Sequence, residues 1–311
     1  MRLFIYEYAT AQPTSVPLPD SVRREGRAMF EAVVEDARKL EPDIEVLTLP
    51  STQDSGLSTQ HYFGQADYAL IIAPEFDGIL EHLARQVQEQ GCKLLGPLPE
   101  AIRLTADKWE LYSHWRRTEV PTPDTWLPPQ LPSEAGAYVK KHRWGAGSLG
   151  LGWWQPGDMV PADHMVQRYV VGMPVSLSTL ISPGGEIAPL WPTMQSISAD
   201  GQFSYLGGSF LGERADCDRV HQLARLALPR IKGLQGYVSI DAVLGKNENG
   251  EEDVVLEVNP RLTTSYLGLR RATSKNIIKC MVDAVVCDKM VPINWYPDGI
   301  QWSSSGNSYR F

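Results

Sequence analysis

Cysteine is scarce in this sequence, and none of it is arranged for metal binding. The four cysteines include no C-x-x-C pair and have no group of histidines beside them: Cys92, Cys217, Cys280 and Cys287. Structural zinc sites bring cysteine and histidine ligands together at short, regular spacings, so this class of site is disfavoured. Thiols without a disulfide framework fit a reducing compartment, and we expect the cytoplasm.

Long apolar runs are absent as well. No stretch approaches the ~18 consecutive apolar residues that a membrane-spanning helix needs. The first residues, MRLFIYEYATAQP, carry one basic residue and no extended apolar core. We interpret them as a strand rather than a signal peptide. The sequence therefore predicts no membrane partner.

Positive charge is in deficit. The chain has 29 Lys and Arg against 37 Asp and Glu, which gives a formal net charge of −8. A protein with this balance repels the phosphate backbone of DNA and RNA, so we expect no nucleic-acid partner. A local basic pocket for one phosphate group remains compatible with it. The sequence leaves the oligomeric state open, a homo-oligomer included.

The composition is that of a folded protein with more than one lobe. Hydrophobic residues make up 43% of the chain and charged residues 21%, which is too apolar for a disordered protein. The 311 residues exceed the roughly 250–300 residues that one hydrophobic core usually serves. We therefore expect two or more lobes.

Strand-like and helix-like segments alternate in the N-terminal third. The predicted strands cover 2–8, 44–50, 68–74 and 92–96, and the predicted helices cover 21–40 and 78–90. The run YALIIAP at 68–74 is apolar on both faces, as in a sheet that is covered on both sides. We predict an α/β lobe with a parallel sheet over residues 1–104.

The rest of the chain has a different pattern. A helix is predicted over 105–118 with Thr105 as its N-cap, and a proline-rich connector follows it. Short β-type runs then predict antiparallel sheet, with a helical segment at 216–232. We predict an α+β lobe over 105–290 and a C-terminal tail over 291–311, whose polar end should pack loosely.

Two strand-like runs near the C-terminal end of this lobe predict a hairpin. They cover 237–244 and 253–260. The Asn-Gly pair at 249–250 is a turn signal. If the hairpin is symmetric about Asn249, Asp241 lies directly opposite Glu257, and Asn259 shares their face. The other face carries residues suited to a core: Val238, Ile240, Ala242, Val254, Leu256 and Val258.

Two carboxylates about 5 Å apart across paired strands should repel each other. A divalent cation between them would remove this repulsion, and Mg²⁺ prefers oxygen ligands of this kind. One interpretation therefore has Asp241, Glu257 and Asn259 holding Mg²⁺, with Mn²⁺ as a substitute. The other is a solvated polar face with incidental acids. In the first case Arg261, just past the strand, lies near the metal-bound phosphates.

A glycine-rich segment follows two lysines in YVKKHRWGAGSLG (138–150). The turn residues are Gly145, Ala146, Gly147 and Ser148. Backbone N–H groups in such a turn can cradle phosphate oxygens, and Lys141 precedes it. The segment matches neither the P-loop nor the dinucleotide-binding fingerprint, and a plain hairpin turn is the alternative. Lys108 is a second candidate cation, with a solvated helix surface as its alternative.

Three motifs occur in one order along the chain: DK at 107–108, K-x-R-x-G-A-G-S at 141–148, and D…E-x-N-P-R over 241–261. The ordered set resembles the ATP-grasp superfamily, specifically its carboxylate–amine ligases. In more detail, EYAT near the start, IIAPEFDGIL (71–80) and LEVNPRLTTSYLGLR (256–270) resemble the tyramine–glutamate ligase group. That group serves the biosynthesis of methanofuran-type one-carbon cofactors. The resemblance implies an ATP-grasp fold preceded by a pre-ATP-grasp domain.

The resemblance also implies a role for each motif. Lys108 and Lys141 would contact the phosphates of ATP, and the glycine segment would close over them. Arg261 would steady an acyl phosphate and a tetrahedral intermediate. The hinge against the adenine would comprise Gln167, Arg168, Tyr169 and Val170. The acceptor pocket would be lined by Thr263, Thr264 and Ser265, which strand-to-helix capping explains equally well.

The sequence departs from the family pattern near the nucleotide. His142 and Trp144 stand where members of the family often have a proline and an acid. The acid that usually holds the ribose shortly after the hinge is not evident in VGMPVS (171–176). The sequence therefore names no residue for the ribose contact.

The implied reaction is ATP-dependent amide formation between a small-molecule carboxylate and an amine. The favoured substrates are the side-chain carboxylate of glutamate and the amine of tyramine or tyrosine. A ring-binding pocket would draw on aromatic residues that otherwise pack in the core: Trp153, Trp154, Tyr169, Trp191, Tyr205 and Tyr266. Two alternatives stay open, namely a ligase for other amino acids or peptides and a nucleotide-binding regulatory protein without turnover.

Overall fold

The computed structural model describes residues 1–12, 18–49, 58–145 and 150–310. The helices are α1 (Tyr8–Ala11), α2 (Asp20–Arg38), α3 (Thr59–Phe63), α4 (Ile79–Glu89), α5 (Pro99–Ala106), α6 (Lys108–Arg117), α7 (Arg214–Ala227), α8 (Ser265–Leu269) and α9 (Ile277–Cys287). The strands are β1 (Arg2–Glu7), β2 (Glu45–Leu47), β3 (Tyr68–Ile72), β4 (Lys93–Leu94), β5 (Thr125–Trp126), β6 (Tyr138–His142), β7 (Gly152–Trp154), β8 (His164–Arg168), β9 (Gly172–Ile181), β10 (Ile187–Pro189), β11 (Thr193–Ile197), β12 (Tyr205–Phe210), β13 (Gly236–Gly245), β14 (Val254–Asn259), β15 (Ile300–Ser303) and β16 (Ser308–Arg310). None of these helices combines the length and apolarity that crossing a bilayer requires.

The N-terminal lobe is built on a parallel sheet with the strand order β2-β1-β3-β4. The two faces of β1 serve different cores. Leu3 and Ile5 pack in the cluster that contains the apolar stripe of α2, whereas Phe4 and Tyr6 pack in the cluster that contains the stripe of α4. A parallel sheet with helices on both faces requires strands that are apolar throughout, so the prediction made from the doubly apolar runs is confirmed.

The remaining strands form two antiparallel sheets. The larger has the order β14-β13-β9-β11-β12-β15-β16, with β10 paired to β9. The smaller has the order β5-β8-β6-β7. Helix α7 covers one face of the larger sheet, where Val220 and Leu223 join the buried cluster that contains Val238 and Ile240. This confirms the predicted mixture of helix and antiparallel sheet.

One buried cluster joins the two halves of the molecule. It contains Val33 of α2, Tyr237 of β13 and Met281 of α9. Burial of apolar surface on both sides of this contact holds the N-terminal lobe against the larger sheet. Side chains from the two halves can therefore meet in one site.

The segment predicted as one helix over 105–118 is two helices, and Thr105 is not a cap. Thr105 lies inside α5, where its hydroxyl donates to the carbonyl of Ala101 at 2.9 Å. Asp107 is the residue that begins α6. Its carboxylate accepts the backbone N–H groups of Trp109 and Glu110 at 3.1 and 3.2 Å. Aspartate is a strong N-cap, and here it stops one helix and starts the next.

The predicted register of the acidic hairpin is confirmed at its centre and changes beyond it. Asp241 pairs with Glu257, but a β-bulge follows, after which Ala242 pairs with Val255. The extra residue turns Val255 into the core, where it is fully buried. The core assignment made from simple alternation is therefore wrong for Val254 and Leu256, which are half-buried.

The polar C-terminal end is not loosely packed. Strand β15 pairs with β12, and β16 extends the larger sheet. Trp302 is 3% exposed and packs against Phe210, with the two rings tilted by 58° and their centroids 5.3 Å apart, and its ring lies over Gly268. The predicted loose tail is wrong here, because strand pairing and the burial of one tryptophan outweigh the polarity of the neighbouring residues.

Replacing Trp302 by alanine should lower the free energy of unfolding by about 3–5 kcal/mol, since it empties a buried site between β12 and α8. Urea unfolding followed by circular dichroism measures the change. Tyr296→Ala is the control, because this side chain is 57% exposed. Equal stability of the two variants would contradict the packing described.

Candidate active site

Two acidic side chains on neighbouring strands define the candidate site. Asp241 on β13 and Glu257 on β14 are register partners. Asn259 Nδ2 donates to Asp241 Oδ2 at 2.9 Å. Gln195 Nε2, on β11, donates to Asp241 Oδ1 at 3.0 Å. The structure thus brings together the three oxygen-bearing residues named from the sequence and adds Gln195 to them.

The two carboxyl groups differ in charge state. Burial raises the pKa of Asp241 to about 7, and the negative charge of Glu257 acts in the same direction. Burial also acts to raise the pKa of Glu257, but the positive charges of Lys108 and Lys141 outweigh it and hold that pKa below its ordinary value. Near pH 7 the pair therefore carries less than two negative charges, and a bound cation would displace the remaining proton.

Two lysines supply the compensating positive charge. Lys108 begins α6, and its Nζ lies 3.3 Å from Glu257 Oε2 while donating to the carbonyl of Gly145 at 2.6 Å. Lys141 lies on β6, where burial lowers its pKa to about 8 despite the nearby carboxylates of Glu257 and Asp241. Both lysines named from the sequence face the acidic pair.

An ion pair between Asp107 and Arg143 holds together the two segments on which these lysines lie. The carboxylate of Asp107 receives Nε and Nη2 of Arg143, each at 2.7 Å. The backbone N–H of Lys108 donates to the carbonyl of Arg143 at 3.1 Å. A two-pronged arginine–carboxylate pair restricts both partners in distance and angle. The start of α6 and the end of β6 are thereby held together.

The four residues named for the hinge continue from β8 into the connection to β9. Gln167 is buried, and its Nε2 donates to Thr125 Oγ1 at 2.9 Å. The backbone N–H groups of Arg168 and Tyr169 donate to the carbonyls of Asp124 and Ala137 at 2.8 and 2.9 Å. Since these two donors are engaged within the protein, a ligand at the hinge would use other backbone groups, such as those of Val170.

An aromatic cluster that includes Tyr169 lies at the same residues. The rings of Trp153 and Tyr169 have centroids 4.7 Å apart, and Phe203 lies 5.2 Å from the first and 6.0 Å from the second. Trp153 is 53% exposed, so one face of this cluster is open. The other aromatic residues named for a ring pocket are buried or half-buried: Trp154, Trp191, Tyr205 and Tyr266.

Arg261 connects the two lobes. Its Nε lies 2.9 Å from Glu75 Oε1, and its Nη2 donates to Glu75 Oε2 at 3.1 Å. Glu75 follows β3 in the N-terminal lobe and is 7% exposed. A buried charge pair of this kind is costly to break, because either partner alone would be left uncompensated. The N-terminal lobe therefore contributes directly to the candidate site.

Two further acids of the N-terminal lobe lie near Arg261. Glu7 accepts the backbone N–H groups of Ala9 and Thr10 at 2.9 and 2.6 Å, which caps α1. Burial raises the pKa of Glu7 and of Glu25, and the charge of Arg261 opposes both shifts. Arg261 is thus a cation surrounded by carboxyl groups.

The three residues named for the acceptor pocket begin α8. Thr263 Oγ1 lies 3.1 Å from Ser239 Oγ, within a group of buried hydroxyls. Thr264 is the N-cap residue, but its side chain makes no cap hydrogen bond. Thr264 and Ser265 are buried. The structure therefore brings these residues near β13 and leaves their role as acceptor contacts a prediction.

The glycine segment is described only at its ends. Gly145 accepts the hydrogen bond from Lys108, whereas Ala146, Gly147 and Ser148 lie outside the described residues. Reasoning from the sequence missed Glu75, Gln195 and the part played by Asp107. Glu75 and Asp107 stand within the quoted motifs, but Gln195 belongs to a strand without one. Its closeness to Asp241 follows only from the order of strands in the sheet, in which β9 alone separates β11 from β13.

Comparison with known proteins finds two family matches along the chain. The pre ATP-grasp 3 domain matches residues 32–102, and the ATP-grasp domain matches residues 105–265. The second match covers every described residue of the candidate site except those of the N-terminal lobe.

Among curated proteins, the chain is 30% identical over 208 residues to the tyramine–L-glutamate ligase of Methanocaldococcus fervens. It is 29% identical over 204 residues to the protein of the same name from Methanocaldococcus jannaschii. These alignments cover 67% and 66% of this chain but only 63% and 58% of the relatives. The resemblance to this ligase group is thereby confirmed over that part of the chain.

Among solved structures, a protein of Archaeoglobus fulgidus described as a member of the ATP-grasp superfamily matches with a TM-score of 0.74 and 28% identity. The match covers 91% of this chain and 88% of that one. It confirms the fold predicted from the ordered motifs.

Asp241 should make stability fall as pH rises. A carboxyl whose pKa is about 7 in the folded protein, against an ordinary value of 3.8, binds its proton more tightly when folded, so stability is lost between about pH 4 and pH 7. Asp241→Asn removes this loss and one of two opposed charges. Its stability relative to wild type should therefore rise by about 2–3 kcal/mol between pH 5 and pH 8.

Urea unfolding at both pH values, without added divalent cations, measures the difference between variant and wild type. The exposed Asp218→Asn serves as the control. An Asp241→Asn profile parallel to that of the wild type would show that the acidic pair carries no strain.

Proposed function

Because this chain belongs to the ATP-grasp family, we propose that it is an ATP-dependent ligase that joins a carboxylate to an amine. A carboxylate oxygen of the first substrate attacks the γ-phosphorus of ATP, and ADP leaves. The amine nitrogen of the second substrate then attacks the carbonyl carbon of the acyl phosphate. Phosphate leaves, a proton is lost from nitrogen, and an amide remains.

One observation carries the proposal: Asp241 and Glu257 face each other across paired strands, and Lys108 and Lys141 face them. Like charges in register destabilise a sheet, so a purely structural role gives no reason for the pair. A triphosphate with its divalent cation needs both signs of charge side by side. The lysines suit the phosphate oxygens, and the acids suit the cation.

The residues present fit Mg²⁺, with Mn²⁺ as a substitute. Asp241, Glu257 and Asn259 offer oxygen atoms only, the donor type that hard divalent ions prefer. Asn259 directs its Nδ2 to Asp241, so its carbonyl oxygen remains for the ion. The ion, when bound, neutralises phosphate charge and draws electrons from the transferred phosphoryl group.

Lys108 and Lys141 would hold the phosphates of ATP, and Gly145, Ala146, Gly147 and Ser148 would cover them. Lys108 already bridges the glycine segment and Glu257, so phosphate binding would exchange one anionic partner for another. The residues from Gln167 to Val170 would line the adenine. The exposed Trp153 face beside Tyr169 adds an aromatic surface on which a flat base can stack.

Arg261 would stabilise the negative charge that develops on the acyl phosphate and on the tetrahedral intermediate. Its pairing with Glu75 orients the guanidinium before substrates arrive. Thr263, Thr264 and Ser265 would lie along the acceptor side, next to Arg261 in sequence. Exclusion of water by the glycine segment matters, because an acyl phosphate hydrolyses readily.

We further propose that the carboxylate is the side chain of glutamate and that the amine is tyramine or tyrosine. The curated relatives named for this reaction support the choice, as do the motifs at 71–80 and 256–270. The four cysteines are free thiols, which supports a protein that acts in a reducing compartment, the cytoplasm.

Substrate-dependent release of ADP tests the proposal. With ATP, Mg²⁺ and glutamate present, tyramine or tyrosine should raise ADP release at least tenfold over either substrate alone, because the second step consumes the acyl phosphate. Stimulation by other pairs of amino acids or by peptides would identify a ligase with different partners. No stimulation by any pair would instead indicate a regulatory nucleotide-binding protein and contradict the proposed activity.

Lys141→Ala should weaken ATP binding about tenfold, because it removes one of the two cations facing the acidic pair. Titration calorimetry with Mg²⁺ and a non-hydrolysable ATP analogue measures the affinity. Lys140→Ala is the matched control, since the adjacent side chain on β6 points to the other face of the sheet. Unchanged affinity in Lys141→Ala would contradict a phosphate contact at this position.

A further inference from the structure

Away from the acidic pair, two histidines and an aspartate meet at the ends of β6 and β8. His142 and His164 are register partners on these strands, with ring centroids 3.8 Å apart. The carboxylate of Asp163 faces one nitrogen of each ring. Its Oδ1 is 2.8 Å from His164 Nδ1, and its Oδ2 is 3.4 Å from His142 Nδ1. In the described part of the chain, this is the one trio of such side chains with ligand atoms within 4.8 Å of each other.

We propose that His142, Asp163 and His164 bind a transition-metal ion with the ligand preference of Zn²⁺. Ligands about 2.0–2.1 Å from a tetrahedral zinc lie about 3.3 Å from one another. His164 Nδ1 lies 2.8 Å from one oxygen of Asp163 and His142 Nδ1 lies 3.4 Å from the other, and one ligand atom of each residue lies within 4.8 Å of the other two. Rotation of the side chains would bring one oxygen of Asp163 and one nitrogen of each ring to the zinc spacing. Two imidazoles and one carboxylate are ligands that zinc accepts, and water would fill the fourth position.

Gly150 provides a second observation. Its φ is +70°, a backbone conformation that residues other than glycine rarely adopt. A Cβ at this position would lie 2.6 Å from His142 Cδ2, and 3.1 and 3.2 Å from Nε2 of His142 and His164. Both imidazoles therefore turn the same ring edge toward residue 150. A side chain at that position would push the two rings apart, whereas glycine leaves room for both.

An ion can reach this trio without any opening of the fold. The side chains of Asp163 and His142 are 54% and 37% exposed, whereas that of His164 is 10% exposed. One ligand is therefore anchored in the sheet and two are accessible from solvent. This combination suits exchangeable binding of an ion to a site that is largely formed beforehand.

The proposed metal site lies beside the candidate active site and is distinct from it. The backbone N–H of Arg143 donates to the carbonyl of Asp163 at 2.9 Å, and Arg143 pairs with Asp107. A metal bound by His142 and His164 would cross-link the end of β6, which directly precedes Arg143, to the start of β8. The site has nitrogen ligands, whereas the acidic pair offers oxygen only, so the two sites select different ions.

Zinc binding to the full chain, without nucleotide and in a large excess of Mg²⁺, tests the proposal. Competition with a chromophoric chelator should give about one equivalent of bound Zn²⁺ in the wild type. His142→Gln and Asp163→Asn should each weaken Zn²⁺ binding about 10–100-fold. His82→Gln is the matched control, because this exposed histidine on α4 contacts only Gln86 among the hydrogen bonds described for its side chain.

Co²⁺ in place of Zn²⁺ reports the geometry. The visible absorption of four-coordinate Co²⁺ should appear in the wild type and in His82→Gln, and should be lost in His142→Gln. Far-UV circular dichroism verifies that each variant is folded, and Asp163→Asn repeats the test at an exposed position. Equal Zn²⁺ affinity in wild type and all variants would overturn the proposal, as would a wild type that binds no Zn²⁺ under these conditions.

Discussion

The opposition of Asp241 and Glu257 is the interaction on which the candidate site depends. Two acids in register would weaken the sheet, yet β13 and β14 keep them together, with Asn259 and Gln195 donating to one of them. Lys108 and Lys141 lower the cost by holding Glu257 in its ionised form. The arrangement is therefore neutral enough to fold and remains charged enough to receive a cation together with an anionic ligand.

The surrounding fold serves to bring these charges together. Asp107 ends one helix, begins the next, and pairs with Arg143, so that both lysines approach the acids from separate elements. Glu75 holds Arg261 from the other lobe. Because a buried cluster joins α2, β13 and α9, the two lobes meet along a fixed surface. The family matches over 32–102 and 105–265 follow the same division of the chain.

Much of this arrangement could be predicted from local pattern. Doubly apolar runs indicated the parallel sheet, and the Asn-Gly turn indicated the register that puts Asp241 opposite Glu257. Simple alternation failed at the bulge that follows Asp241, since a bulge leaves no clear mark in the sequence. The prediction of a loose tail, made from polarity, failed near Trp302, where polar neighbours concealed a strand that pairs with β12 on one side and with β16 on the other.

Local pattern along the chain was enough to name most of the polar residues that meet at the candidate site, because motif residues and side-chain alternation are read directly from the sequence. It also determined the class of each lobe, since the hydrophobic period depends on secondary structure alone. Folding alone brings Gln195 to Asp241 across a strand, Glu75 to Arg261, and His142 to His164. Such contacts join residues distant in sequence, and their geometry arises from strand order and lobe packing.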